Sequence, residues 1–324
     1  MKKGKNGFIL ILLLLLVINS LGVVAPAASA DSSTASLELS LPSNLTDWLL
    51  DEDAGYIYAI SSRENNLYFI RLSDFTIEKT LNVGSYPSYL ARDGQSLQIA
   101  LSGATLIKTV NLSTQQISDT ITTNEIPSSV AASSHHIFYG TSNGIYKYDK
   151  ASGTTSLLFS NYNSNNSTLA FDELSNTLYT GNLSSYGGIT AINAETGVKL
   201  SEDINDDMEF GGPSLSLKHI FIDHKYVYFG GHQFNKENLV ETTGTYSRAD
   251  NDYSHLESVI LDVSESYVLT TQGVYDKDTY TPLVRFPSNK MFALLDSNGH
   301  AYVAGTENWY DDVNKIKRIE LTIP

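Results

Sequence analysis

Cysteine is absent from all 324 residues, so the fold is held without disulfides and no thiol nucleophile or thiolate metal site exists. Bases are scarce too: 21 Lys and Arg face 36 Asp and Glu, a formal charge of −15. Phosphates would be repelled by such a surface, which makes nucleic acid and anionic lipid poor partners. Beyond residue 30 no apolar stripe of 3.6-residue period is sustained, so helices should be scarce. Also missing are a G-x-S-x-G elbow, a P-loop, a G-x-G-x-x-G turn after a strand, and H-E-x-x-H or H-x-x-x-H spacing.

One long hydrophobic run occurs, at the start. Lys2, Lys3 and Lys5 precede the apolar stretch Phe8–Val17, and Ala28-Ser29-Ala30 follows as an A-x-A cleavage signal. The pattern predicts a signal peptide over residues 1–30, bacterial in style. An uncleaved anchor is the competing reading, but the run is short of the roughly 20 residues a spanning helix needs and is interrupted by Asn19 and Ser20. Cleavage would leave 36 acids against 18 bases and a formal charge of −18 on about 294 residues, enough chain to bury its own core. The product is expected to be a secreted, extracellular or loosely surface-associated monomer without stable membrane insertion.

What is abundant is short β-strand pattern punctuated by turns. Asp51–Pro87 reads as a turn followed by strands over Tyr56–Ser61, Asn66–Leu72 and Thr76–Asn82. Copies of its strand at Ile57 recur at 97, 137, 178, 227, 268 and 302, a period near 40. Four strands per 40 residues is the spacing of a propeller blade. The expected architecture is therefore all-β: a single seven-bladed β-propeller over residues 31–324. Clusters such as Asp51-Glu52-Asp53-Ala54-Gly55 and Asp296-Ser297-Asn298-Gly299 precede the recurring strand, and their repetition at one position reads as turn chemistry. The seventh unit ends on a third strand, Lys315–Ile323, whereas Ser36–Leu41 is an isolated strand near the start. Pairing the two would supply the last blade's outer strand and close the ring.

Val83-Gly84-Ser85-Tyr86-Pro87 after an alternating strand, the Asp-containing turns, TLYTGN at Thr177–Asn182 and AYVAGTEN at Ala301–Asn308 resemble YVTN-type β-propeller repeats of the WD40-like superfamily. The resemblance spans roughly residues 45–324; units three, five and six lack the family's Pro-x-Gly turn. It implies a fold and a surface location more than an activity.

Loops between second and third strands, with the blade-to-blade connections, should converge on one face. There the candidate ligand-binding residues are Arg63, Glu64, Tyr86, Tyr186, His232, Phe234, Glu307, Trp309 and Tyr310. Two longer stretches stand out: Gly230–Thr245, taken as a loop, and Glu307–Asp312, which carries the second of two tryptophans. Adjacent His135 and His136 would point opposite ways on a strand and cannot chelate together. No cofactor is implied. Asp203, Asp206, Asp207 and Glu209 form the densest acidic run and have the oxygen chemistry for calcium, a solvated loop being the plainer reading. The functional expectation is a non-catalytic module recognising a protein, peptide or cell-surface glycan on its loop-rich face. The alternative is a lactonase, lyase or glycoside hydrolase with an acidic or His232-containing funnel.

Overall fold

The computed structural model describes residues 28–29, 37–160, 167–182, 188–204, 219–242, 246, 258–288, 290–305 and 313–323. Their strands form seven sheets, antiparallel but for one short parallel pairing, with no helix among the described residues. Blade 1 consists of Asp47–Asp51, Tyr56–Ser61, Asn66–Arg71 and Thr76–Asn82, paired in chain order from the inner strand outward. Blades 2, 3, 4 and 6 repeat this four-strand meander, beginning with inner strands Pro87–Asp93, Ser129–Ala132, Ser167–Asp172 and Ile260–Val263. Blade 5 has three described strands, Phe221–Ile222, Tyr226–Phe229 and His232–Asn235. Blade 7 takes Phe292–Leu295, His300–Ala304 and Lys315–Glu320 from the chain's end. Its outer strand is Leu37–Ser40, antiparallel to the last strand with Leu37 opposite Arg318 and Ser40 opposite Lys315. Ala28–Ser29 pairs in parallel with Val284–Arg285 at the outer edge of blade 6.

The core lies between blades rather than within one. A strand's successive side chains point to opposite faces, so Ile57 and Ala59 pack toward blade 7 while Tyr58 and Ile60 pack toward blade 2. Seven apolar clusters fill the seven interfaces of the ring. Both faces of the middle strands are thus buried, which is why they read as near-continuous apolar runs such as Tyr56–Ser61. Outer strands alternate or are mostly exposed, as in Thr76–Asn82 and Gln116–Thr122. In blades 1, 2, 3, 4 and 6 a register shift interrupts the third-to-fourth pairing, adding local twist to the outer strand.

One expected loop is a strand. Gly230 and Gly231 make a tight turn, and His232–Asn235 is the third strand of blade 5, carried inward by Phe234 against its neighbours. Physically, the alternation of Gln233 and Phe234 into the two buried faces outweighs the polar look of the segment.

Candidate functional site

The turns joining first and second strands all lie on one face, and their acids are structural before anything else. Asp51, Asp223 and Asp296 each accept the hydroxyl of a tyrosine two residues into the second strand: Tyr58 at 3.2 Å, Tyr228 at 2.8 Å and Tyr302 at 3.0 Å. Burial, reinforced by the nearby carboxylate, pushes these hydroxyls well above the usual tyrosine range, so they stay protonated donors. Two of these acids, Asp51 and Asp223, and the corresponding Asp93 and Asp172 of blades 2 and 4 also reach the next blade. Arg92 meets Asp51 at 2.9 Å, Lys150 meets Asp93 at 2.5 Å, Lys236 meets Asp172 at 2.7 Å and Lys277 meets Asp223 at 2.7 Å. Turn chemistry and blade-to-blade stapling are served by one carboxylate.

On the ring axis the inner strands close a floor. Asp47, Tyr89 and Thr168 stand opposite Ile60, Ala100 and Gly181, each the fifth residue of its blade's second strand, and so share one level. Tyr89 of blade 2 and Thr168 of blade 4 join hydroxyls across the axis. Asp47, fully buried, accepts from the amides of Trp48 at 2.9 Å and Leu90 at 2.8 Å. His219, just before blade 5, donates from Nε2 to Asp47 Oδ1 at 2.8 Å, a second link across the ring. The His219 and Tyr89 rings lie 5.5 Å apart.

Above this floor a cavity of about 760 Å³ opens on the acidic-turn face. Leu49, Leu261 and Leu295 form apolar walls, and Asp51, Glu52, Asp53, Arg92, Ser297 and Asn298 surround the mouth. Asp262 projects from blade 6 into it, accepting from the amides of Val263 at 2.9 Å and Leu295 at 3.0 Å. It stands opposite Leu269, the third residue of its second strand. That is two residues, or about 7 Å, nearer the mouth than Asp47. Burial drives its carboxyl up to about 6, against the pull of the two amides and of His219. Two side grooves, of about 550 Å³ toward blade 1 and about 1090 Å³ toward blades 5 and 6, share Glu52 and Asn298 with the central cavity.

The residues singled out from the sequence fall on the other face or outside the described residues. Arg63 and Glu64 lie in the blade 1 turn between second and third strands. Tyr86 is 59% exposed and left-handed, with φ of 55°. His232 Nδ1 is 2.7 Å from Glu241 Oε1, and its side chain is largely covered. Phe234 is a correction: it is fully buried in the blade 4–blade 5 cluster, so it offers no surface to a ligand. Tyr186, Glu307, Trp309 and Tyr310 lie outside the described residues, as do Asp206, Asp207 and Glu209. Asp203 lies one residue before the end of the last strand of blade 4, its carboxyl raised by burial and by Glu241. Among the described residues no group of three metal-ligating side chains converges. Sequence reasoning passed over His219, Asp262 and Glu52. The first two carry a signal in hindsight: His219 directly precedes the apolar run Ile220–Ile222, and Asp262 is the single polar residue within the strand ILDV.

Solved structures share the architecture. The β-propeller domain of Cps50 (Swd1) from Myceliophteria thermophila superposes with a TM-score of 0.67 at 10% identity, covering 88% of this chain and 100% of that one. The fold is a seven-bladed β-propeller. U3-55K gives 0.65 at 11% identity over 88% and 98% of the two chains. Kuenenia stuttgartiensis hydrazine synthase gives 0.51 at 12%, over 82% and 75%. No family model matches the sequence, and no curated protein matches it either. At such identities the propeller shares its ring geometry with these proteins, and its site residues are its own.

Proposed function

We propose that this propeller is an exported, non-catalytic interaction module that holds a protein or peptide partner at the mouth of its axial cavity. The fold suits protein interaction. The observation that carries the reading is the axial cavity: the Tyr89–Thr168 and His219–Asp47 hydrogen bonds cross the axis at its floor, and the acidic-turn face presents a pre-formed depression above them. Export is supported by the leader pattern and by the resemblance to YVTN-type repeats. The opposite face, with exposed Arg63, Glu64 and Tyr86, is the competing docking surface.

A photoreactive amino acid placed at Asp53, exposed at the cavity mouth, and separately at Ser85, exposed on the other face, tests the choice. Adducts with a discrete partner from Asp53 and none from Ser85 are the expected result. Adducts from Ser85 alone would move the interface to the opposite face.

A further inference from the structure

We infer that the axial cavity receives an organic cation, the protonated amine of a lysine side chain on an extended partner segment, with Asp262 as its counter-charge. The inference rests on reading the cavity mouth as the binding site. It begins from a comparison within the ring. Asp47 and Asp262 use the same local device: one oxygen accepts the amide of the following residue, and the other accepts an amide from the next blade's inner strand. Asp47 additionally holds His219 at 2.8 Å. Asp262, among the described residues, has no basic side chain within ion-pair distance, because Arg92 at the mouth is already engaged by Asp51 at 2.9 Å.

Asp262 is half-buried on the cavity wall, and a carboxylate drawn partly out of bulk water without a cation is disfavoured, a cost relieved by ionic pairing or by protonation. The free protein shows the second outcome in part, since burial raises the Asp262 carboxyl to about 6. The shape of the cavity favours the first when a ligand is present. Asp262 lies two residues below the turn that begins at Ser264, about 7 Å along the strand. A lysine stem of four methylenes spans about 6 Å from Cα to Nζ. Its methylenes would lie along Leu49, Leu261 and Leu295 while the ammonium reaches the carboxylate. Glu52, whose Oε2 is fixed at the rim by the amide and hydroxyl of Ser297 at 2.8 and 2.6 Å, would meet the approaching charge first. The groups facing Asp262 are His219 from blade 5, Asp51, Glu52 and Asp53 from blade 1, and Arg92 from blade 2; blade 7 contributes uncharged Leu294, Leu295, Ser297 and Asn298. A neutral or anionic ligand would leave Asp262 without a counter-charge in the same enclosure.

Isothermal titration of the full chain with a blocked Gly-Lys-Gly tripeptide, the same peptide with acetylated lysine, and spermidine decides the matter. The lysine peptide is expected to bind at least ten-fold more tightly than the acetylated one. Asp262→Asn should weaken it at least ten-fold and Glu52→Gln several-fold, with Asp119→Asn, an acid remote from the cavity, unchanged. At pH 6 binding should release protons, read as a heat that varies with buffer ionisation enthalpy, because pairing favours the ionised carboxyl. Equal affinity for the acetylated peptide, or binding unaltered by Asp262→Asn and Glu52→Gln alike, overturns the inference. So does spermidine binding more tightly than the lysine peptide, which would assign the cavity to a free polyamine. Loss of the titration signal with cross-links at position 53 intact would refute the cation site and leave the interaction module standing; the reverse result would do the opposite.

Discussion

Replacing Lys277 by Met should remove one blade-to-blade staple while keeping most of its apolar stem. Lys277 is 9% exposed and Asp223 14% exposed, and their charged atoms are 2.7 Å apart. Burial alone would raise the Asp223 carboxyl. Lys277 first, then the amides of Lys225 and Tyr226 and the Tyr228 hydroxyl, more than offset this and bring it down to about 2. From an ordinary value of 3.8, the favourable environment of the ionised form amounts to about 2 kcal/mol. Without Lys277 the carboxylate stays buried with its remaining donors, and unpaired buried charges are penalised by about 3–5 kcal/mol. An overall loss of about 3 kcal/mol at pH 7 is expected, measured by urea unfolding followed through the buried Trp48. The sign with pH follows from the depressed folded value. The staple's contribution is complete above about pH 4 and is lost as pH falls through about 2. The gap between the two proteins should therefore close between pH 4 and pH 2. A gap below about 1 kcal/mol at pH 7, or one that persists unchanged to pH 2, would refute the assignment.

Three further outcomes are expected. Asp47→Ala strips the fully buried acceptor of two amides and His219, and should cost about 3 kcal/mol by the same unfolding measurement, against about 1 kcal/mol for Tyr89→Phe on the neighbouring link. Gly197→Ala should be far worse than Gly55→Ala, although both glycines have φ above +70°. A Cβ at 197 would lie 1.9 Å from the Leu158 carbonyl oxygen and at 55 would meet nothing within 4 Å, so thermal melts should show a small shift for Gly55→Ala, about 1 kcal/mol, and failure to fold for Gly197→Ala. Deleting the chain up to Ser40 uncovers the edge of Lys315–Glu320, and faster hydrogen exchange across that strand with concentration-dependent association is expected; unchanged exchange would show that Leu37–Ser40 contributes nothing to closing the blade.

Much of the ring was legible in the chain because its determinants are local and repeated. A two-residue alternation with both faces buried produces the apolar runs of Tyr56–Ser61 and Ser96–Leu101, and Asp, Asn and Gly mark the turns between them. The strand count follows from their period near 40. Blade 5 was misread where that signal weakens: His232–Asn235 has only Phe234 as an obvious apolar anchor, and its status as a strand depends on the Tyr226–Phe229 partner beside it.

The axial site is of another kind. Asp47, Tyr89, Thr168, His219 and Asp262 come from five different blades, separated by up to 172 positions where they touch, and no local pattern relates them. Residue types and periodicity determined by themselves that the chain would be β-structured, seven-fold and strongly acidic. Closure of the ring decided which acids staple blades, which axial acid has no cation beside it among the described residues, and which face is hollow. The reason is that strand pairing depends on neighbours a few residues away, whereas the electrostatics of an axis depend on groups brought together only when all seven wedges are in place.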